Sequence, residues 1–255
     1  MCLILFAHRA QPGVTLQLAA NRDEFFVRPT LAAAWWSEHP EILAGRDMKA
    51  GGTWLGIART GRFAAITNFR DPGSHRNDAP SRGALAGDFL LGTESPQLYL
   101  ERISGQASRY NGFSLLAGFG ENLWFLSNRG NDPMPVSAGL HGLSNHLLDE
   151  PWPKVTRGIA QLGLQMQQPF AAEDYFRLLA DEEQAPDGEL PSTGIGLDRE
   201  RRSSAIRIRD AVYGTRCSTV LRIGTDGTVE FHERSFTAEG SIGGTTSHRF
   251  TVRQE

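Results

Sequence analysis

A cysteine at position 2 is the residue whose type and position most directly suggest chemistry. Removal of Met1 from before this small residue would leave a free α-amino group on Cys2. The ordinary pKa of that amine is ~8 and that of the thiol ~8.5, so one residue would hold both a base and a nucleophile. The alternative is that Cys2 is a small core residue of the first strand. We predict that Met1 is removed in cells.

A polar segment that closes the second predicted strand supplies candidate partners for this cysteine. Asn21, Arg22 and Asp23 follow an apolar stretch, and a turn at residues 11–13 would pair the first two strands so that these residues lie opposite Cys2. Asp23 could then accept a hydrogen bond from the Cys2 amine or orient the thiol. Asn21 or Arg22 would complete the wall of a pocket. By local sequence alone, an exposed turn is the more ordinary structure for this segment.

Two further asparagines follow apolar stretches, Asn68 at the end of a hairpin and Asn145 after residues 142–144. A side-chain amide at a strand end is a suitable oxyanion donor in acyl transfer, where one such donor lowers the barrier by ~2.7–4 kcal/mol. Taken alone, each asparagine is more typical of a turn. The prediction is therefore geometric: Cys2, Asp23, Asn68 and Asn145 should converge at one end of the fold.

Other residue types in the sequence could have binding roles. Trp54 could line a pocket for a flat or acyl ligand, although core packing is the more ordinary role of tryptophan. The seven histidines show no metal-ligand spacing, so no metal site is expected. His141 or His146 could be an axial ligand to haem, but a loop histidine that only makes hydrogen bonds is the better prediction.

The elements that must position these residues are hairpins separated by helices. Hairpins are predicted within residues 2–21, 53–68, 112–128 and 218–233, and helices at residues 84–91, 97–103, 152–166 and 171–179. Ser81 and Ser95 are the predicted N-caps of the first two helices. Sequential hairpins form antiparallel sheets, and the helices must cover their faces. We therefore expect an α+β fold, a four-layer αββα sandwich in a single domain over residues 1–255.

Composition limits the classes of partner. The 255 residues carry a net charge of -3, so the chain as a whole does not indicate a nucleic-acid or anionic-membrane partner. No stretch is long and apolar enough for a membrane span. The N-terminus lacks a basic leader, and the two cysteines, Cys2 and Cys217, do not make a disulfide scaffold. A cytoplasmic protein with free thiols is the expectation.

These residues together resemble the NRDE family, also called the transport and Golgi organisation protein two family. The shared features are Cys2, the tetrapeptide at residues 21–24 that names the family, and segments at residues 51–56, 67–68, 142–145, 213–220 and 233–236. The family is placed, by similarity, with cysteine-type N-terminal nucleophile hydrolases such as the choloylglycine and penicillin V acylases.

The resemblance implies a role for each matching residue. It makes Cys2 the nucleophile, Asp23 the aspartate after the second strand, Asn68 the oxyanion donor and Asn145 the second pocket asparagine. The acylases' arginine just upstream of that aspartate has no counterpart here, because Arg22 is shifted in register. Arg216 is a further candidate for ligand binding, with Asn21, Arg22 and Trp54.

Two functions remain open at this stage. The family's association with haem trafficking and with lipid or acyl-CoA homeostasis implies a carrier of a small hydrophobic or acyl-bearing ligand, with no required cofactor. The sequence chemistry instead favours an amidohydrolase that opens a linear amide through an acyl-thioester on Cys2. The missing acylase arginine favours the carrier. A structural relic with neither role is the third reading.

Overall fold

The computed structural model describes residues 2–253 and contains two antiparallel sheets. In spatial order, the six strands of the first sheet are β10 (Gly139–Leu143), β1 (Cys2–Gln11), β2 (Val14–Phe25), β11 (Tyr213–Gly224), β12 (Thr228–Phe236) and β13 (Ile242–Thr251). The seven strands of the second sheet are β3 (Thr30–Trp35), β4 (Ile42–Asp47), β5 (Leu55–Ala58), β6 (Phe63–Asn68), β7 (Phe113–Phe119), β8 (Asn122–Ser127) and β9 (Met134–Pro135).

The helices form the two outer layers of the fold. They are α1 (Gly83–Leu91), α2 (Pro96–Ser104), α3 (Pro153–Gln165), α4 (Ala172–Leu179) and the short α5 (Leu197–Ser203). One apolar cluster lies between the two sheets, a second between the second sheet and α1 and α2, and a third between the first sheet and α3 and α4. The four-layer αββα sandwich expected from the sequence is confirmed.

Side-chain alternation along β1 shows why both faces of the first sheet are covered. Ile4 and Phe6 pack between the sheets, whereas Leu3 and Leu5 pack against the helical layer. Successive residues of a strand point to opposite faces, so a strand covered on both sides is apolar throughout. This is why the N-terminal residues of β1 are apolar without interruption, rather than alternating between apolar and polar.

Several local expectations need correction. The aromatic stretch after residue 25 contains β3 and β4, which the sequence analysis did not predict as strands. Ser81 does not cap α1, whose N-cap position is Arg82 without a side-chain hydrogen bond. The predicted cap of α2 is confirmed, because the Ser95 side chain accepts from the Leu98 N–H. Within residues 2–253, no helix is long and apolar enough to cross a membrane.

The termini of several strands meet at one end of the sandwich. β1 begins there, and β2 runs antiparallel to it so that Cys2 lies opposite Arg22. β11 begins at the same end, with Cys217 on the other side of Arg22. The two cysteines are therefore two strands apart, and both are free thiols, as expected.

Candidate functional site

Cys2 is held by the residues that follow β10. Its backbone nitrogen donates to Asn145 Oδ1 at 3.2 Å, and its carbonyl oxygen accepts from Ser144 Oγ at 2.9 Å. Only 8% of Cys2 is exposed. Burial raises the pKa of the Cys2 thiol, and the nearby Asp23 carboxylate adds to that rise. The sulfur of the full-length chain is therefore a neutral thiol at neutral pH.

Asn145 links the Cys2 strand to the opposite sheet. Its Nδ2 donates to the carbonyl oxygen of Asn68 at 2.8 Å, and its own carbonyl oxygen accepts from the Arg70 N–H at 2.7 Å. The Asn145 side chain is buried, whereas Asn68 is exposed and lines a cavity above Cys2. Asn145 thus positions the Cys2 backbone, and Asn68 is an exposed residue of the cavity wall.

Asp23 lies beside Cys2 at the end of β2 and is buried. Its Oδ1 accepts from Thr215 Oγ1 at 2.6 Å, and its carbonyl oxygen accepts from the Tyr213 hydroxyl at 3.1 Å. The Asp23 backbone N–H bonds the Cys2 sulfur, which favours the thiolate. Burial raises the pKa of the Asp23 carboxyl, whereas Lys154 and the Thr215 hydrogen bond act to lower it.

Lys154 is a residue of this cluster that the sequence analysis missed. It lies in the first turn of α3, is 1% exposed, and its Nζ has no hydrogen-bond partner among the described residues. Burial lowers its pKa to about 8, opposed by the charge of Asp23. The available signal was helical register: Lys154 is four residues before Gly158 and eight before Leu162, on the buried face of α3.

The cavity above Cys2 has a volume of about 470 Å³. Cys2, Asp23 and Asn68 lie in its wall, together with Trp54, which the sequence analysis singled out for binding. Asn145 bonds both the Cys2 nitrogen and the Asn68 carbonyl oxygen, so the structure brings these four residues to the same end of the sandwich. Their catalytic roles stay predictions.

Arg22 and Arg216 also line the cavity, but their side chains hold its wall together. Arg22 Nη1 donates to Thr30 Oγ1 at 3.2 Å. Arg216 is the extra residue of a bulge, since Thr215 and Cys217 pair with consecutive residues of β2. The bulge directs Arg216 towards the β2–β3 turn, where Nη1 donates to the carbonyl oxygens of Phe25 and Arg28.

The structure places Asn21 outside the cavity. Its side chain is buried on the helical side of the sheet, where Nδ2 donates to the carbonyl oxygens of Leu179 and Ile206, and Oδ1 accepts from Ser218. Asn21 therefore satisfies buried backbone carbonyls beside α4 rather than a ligand. The predicted ligand-binding role of Asn21 is corrected on this geometry.

Neither histidine considered as a haem ligand lines the cavity. His141 contacts Asp149 Oδ2 at 2.7 Å and the Ser137 carbonyl oxygen at 3.0 Å. His146 contacts Glu150 Oε2 at 2.9 Å. Both make hydrogen bonds, as predicted, but only His146 lies in a loop, since His141 belongs to β10.

Cations outnumber carboxylates in the cavity wall. Among the described residues, the cationic side chains that line it are Arg22, Arg28, Arg46, Lys49, Arg76, Arg82 and Arg216. The carboxylates are Asp23, Glu24, Asp47 and Glu233. Burial raises the pKa of both Asp23 and Glu233, which disfavours their negative charge. The wall is thus electropositive although the whole chain carries -3.

A four-layer αββα sandwich with a buried second-position cysteine beneath a polar cavity is the architecture that the family resemblance implied. The family model for Transport and Golgi organisation 2 matches residues 1–238, and the chain belongs to this family. The Transport and Golgi organization protein 2 homolog of Bos taurus is 37% identical over 99% of this chain and 100% of its own length. The Homo sapiens homolog is 37% identical over 92% and 93%, and the Drosophila melanogaster protein 28% identical over 93% of both.

Two solved structures share a distant likeness with this chain. An N-acylethanolamine-hydrolyzing acid amidase ortholog from Caenorhabditis elegans is 11% identical, with a TM-score of 0.45 over 86% of this chain and 92% of that one. A mutant conjugated bile acid hydrolase from Clostridium perfringens is 9% identical, with a TM-score of 0.44 over 99% and 98%. The layers and sheets described above, rather than these likenesses, define the fold.

Proposed function

We propose that the cavity above Cys2 binds an intracellular amphiphile with an anionic group, the class that includes haem and acyl-CoA, and that the protein carries this ligand. The observation that supports this most directly is the excess of cationic side chains in the wall. Carboxylate and phosphate groups are recognised by such cations. Haem is in this proposal a carried ligand, and no cofactor is required.

The rest of the wall suits the apolar part of such a ligand. Trp54, Ile66 and Leu31 line the same cavity as the cations. A small-molecule site typically combines apolar lining with a few placed polar groups. The two free cysteines fit the reducing cytoplasm that the sequence analysis expected, so the cytoplasm is the proposed location.

A second candidate function is amide hydrolysis, favoured by the convergence of Cys2, Asp23 and Asn68. The Cys2 sulfur would attack the carbonyl carbon of a linear amide, and Asn68 Nδ2 would donate to the resulting oxyanion. The C–N bond then breaks, the amine leaves with a proton, and water hydrolyses the thioester. Because the thiol is neutral while Met1 is attached, this reaction requires removal of Met1 to free the Cys2 amine.

A paired titration and turnover measurement separates the two functions. Haem binding followed by visible absorbance, and palmitoyl-CoA binding by calorimetry, would be run beside a screen of fatty-acyl amides. The variants are Cys2→Ser and, as a matched control, Cys217→Ser, because Cys217 is the other buried thiol of the same wall. A carrier should keep stoichiometric binding in both variants and show no turnover.

Two other results would contradict the carrier function. Amide turnover that disappears in Cys2→Ser and survives in Cys217→Ser, with only weak and non-stoichiometric ligand binding, would replace the carrier by the hydrolase. If no tested anionic amphiphile binds and no amide is cleaved, both proposals are wrong for this cavity.

A further inference from the structure

A group of exposed apolar side chains lies on segments that adjoin the Cys2 cavity, of which Leu31 lines the cavity itself. They lie on three neighbouring segments and comprise Phe25, Val27, Leu31, Met48 and Val212. Val27, at the tip of the turn between β2 and β3, is 88% exposed. Isolated exposed apolar residues are ordinary, but several together beside a cavity indicate an interaction surface. We call these five side chains the apolar rim.

Backbone hydrogen bonds join the three segments into one surface. The Phe26 N–H donates to the Val212 carbonyl oxygen at 3.0 Å, and the Met48 N–H donates to that of Pro29 at 3.0 Å. The β2–β3 turn is thus bonded to the segment before β11 on one side and to the segment after β4 on the other. The segments that carry the apolar rim are therefore adjacent, and Leu31 belongs to both the rim and the cavity wall.

Exposed cations lie beside the apolar rim, whereas the carboxylates next to it are ion-paired: Glu24 and Asp47 with Arg28, and Asp210 with Arg202. Lys49 is exposed next to Met48, and Arg76 is exposed on the loop that forms the opposite part of the wall. Arg28 lies inside the turn, where its charge is matched by Asp47 at 2.7 Å. The net charge of -3 conceals this local arrangement, because the cavity wall holds seven cations against four carboxylates.

We propose that the apolar rim docks this protein on an anionic phospholipid membrane, with the mouth of the Cys2 cavity facing the lipid. Apolar loop tips flanked by exposed cations match the two layers of such a surface, since apolar side chains enter the acyl boundary and cations meet the headgroups. Docking in this orientation places the cavity where an amphiphile leaves or enters the bilayer. The inference goes beyond the proposed function and does not depend on which ligand the cavity binds.

Co-sedimentation with vesicles tests the proposal on the full chain. Vesicles of phosphatidylcholine alone and of phosphatidylcholine mixed with phosphatidylserine would be compared, without added ligand. Wild type should bind the anionic vesicles, and a Val27→Ser, Met48→Ser, Val212→Ser triple variant should bind about tenfold more weakly or worse. Lys49→Glu should weaken binding about fivefold or more, and added salt should act in the same direction.

A matched triple variant controls for the loss of any three exposed apolar residues. Leu98, Leu164 and Phe119 are exposed on α2, on α3 and at the end of β7, away from the apolar rim, and Leu164 is 67% exposed. Serine at these three positions should leave vesicle binding unchanged. Circular dichroism and melting temperature establish that both triple variants fold.

Any of four outcomes would overturn the proposal. Wild type that does not bind the anionic vesicles, or binds neutral ones equally well, lacks the expected charge preference. Equal loss in the two triple variants would mean that the apolar rim is not the docking surface. A dimer in size-exclusion chromatography that the rim variant alone disrupts, without vesicle binding, would assign the rim to a second copy of this chain.

Discussion

At the scale of the residue, Cys2 changes character when Met1 is removed. Its nitrogen, an amide that donates to Asn145 Oδ1 at 3.2 Å, becomes an amine with the same acceptor at hand and the Asp23 carboxylate nearby. An adjacent ammonium group favours the thiolate, so the pKa of the Cys2 thiol should fall from its raised value. Processing and reactivity are therefore coupled in this site.

The first prediction is that untagged protein from cells lacks Met1 and that its Cys2 is alkylated faster by iodoacetamide at neutral pH than Cys2 of a chain that retains Met1. Intact-mass measurement reports processing, and peptide mass spectrometry reports the alkylation rate. Cys217 is the internal control, since burial raises the pKa of its thiol well above the usual value. Retention of Met1 in nearly all molecules would remove the self-activated nucleophile.

The second prediction concerns the buried charge of Lys154. The sequence has two lysines, so protein labelled with ¹⁵N-lysine gives two side-chain resonances, and Lys49→Arg assigns them. Lys154 should titrate at about 8, below its usual value, because burial disfavours the charged amine. In Asp23→Asn the pKa of Lys154 should be lower still, because Asp23 is the charge that opposes this effect. A Lys154 titration unchanged by Asp23→Asn would contradict the proximity of the two groups.

At the scale of the elements, Glu233 of β12 joins the two sheets. Its Oε1 accepts from the Ala33 N–H of β3 at 2.6 Å, and the residue is buried. Burial raises the pKa of the Glu233 carboxyl. A group whose pKa is higher in the folded state stabilises the fold at pH values below its unfolded pKa, and that stability is lost as pH rises through the folded value.

The third prediction follows from the direction of the Glu233 pKa shift. Glu233→Gln keeps an acceptor for Ala33 and removes the ionisation, so its stability relative to wild type should increase as pH rises above ~4.3, the unfolded pKa of glutamate. Glu233→Leu leaves the Ala33 N–H unsatisfied and should be about 1–3 kcal/mol less stable than Glu233→Gln at every pH, because neither variant ionises at this position. Urea unfolding between mildly acidic and neutral pH measures both. A difference in the free energy of unfolding between Glu233→Gln and wild type that does not change with pH would contradict the effect of burial on the Glu233 pKa.

The elements also show what the sequence could predict. The hairpin that pairs Cys2 with Arg22 was predictable because a turn at residues 11–13 separates two apolar strands. β3 and β4 were missed because Trp35 and several prolines obscure the alternation of short strands in which only some positions are buried. Asn21 was assigned to the cavity wall because the sequence does not show to which face of the sheet a polar residue at a strand end points. Only the sheet geometry separates Asn21, on the helical side, from Arg22 in the cavity wall.

Lys154 marks a different limit of sequence-based prediction. A lysine in the first turn of an amphipathic helix is ordinarily solvated, so its helical register with Gly158 and Leu162 does not by itself predict burial. Its burial depends on the packing of α3 against β1, where Gly158 lies so close to Leu5 that a Cβ would meet the leucine side chain at 2.6 Å. The tertiary contact, not the segment, places this amine beside Asp23.

At the scale of the whole molecule, the cavity spans both sheets. Its wall takes Arg22 and Glu233 from the first sheet and Thr30 and Asn68 from the second. Anything bound there contacts both halves of the sandwich at the end where their strand termini meet. A ligand of the native cavity therefore stabilises the whole fold and not one element of it.

The fourth prediction is a thermal shift that depends on the cavity cations. A ligand at one hundred times its Kd stabilises the native state by about 2.7 kcal/mol, and each kcal/mol raises Tm by roughly 2–4 °C in a chain of this size. Palmitoyl-CoA or haem should therefore raise Tm by about 5–10 °C at that concentration.

Arg22→Gln should reduce the shift, measured against its own ligand-free Tm, because it removes a cation from the wall. Arg102→Gln, on the surface of α2 and paired with Glu94, is the matched control and should keep the full shift. Equal shifts in the two variants would place the ligand elsewhere on the molecule, and the absence of any shift with either ligand would remove both from the class that this cavity carries.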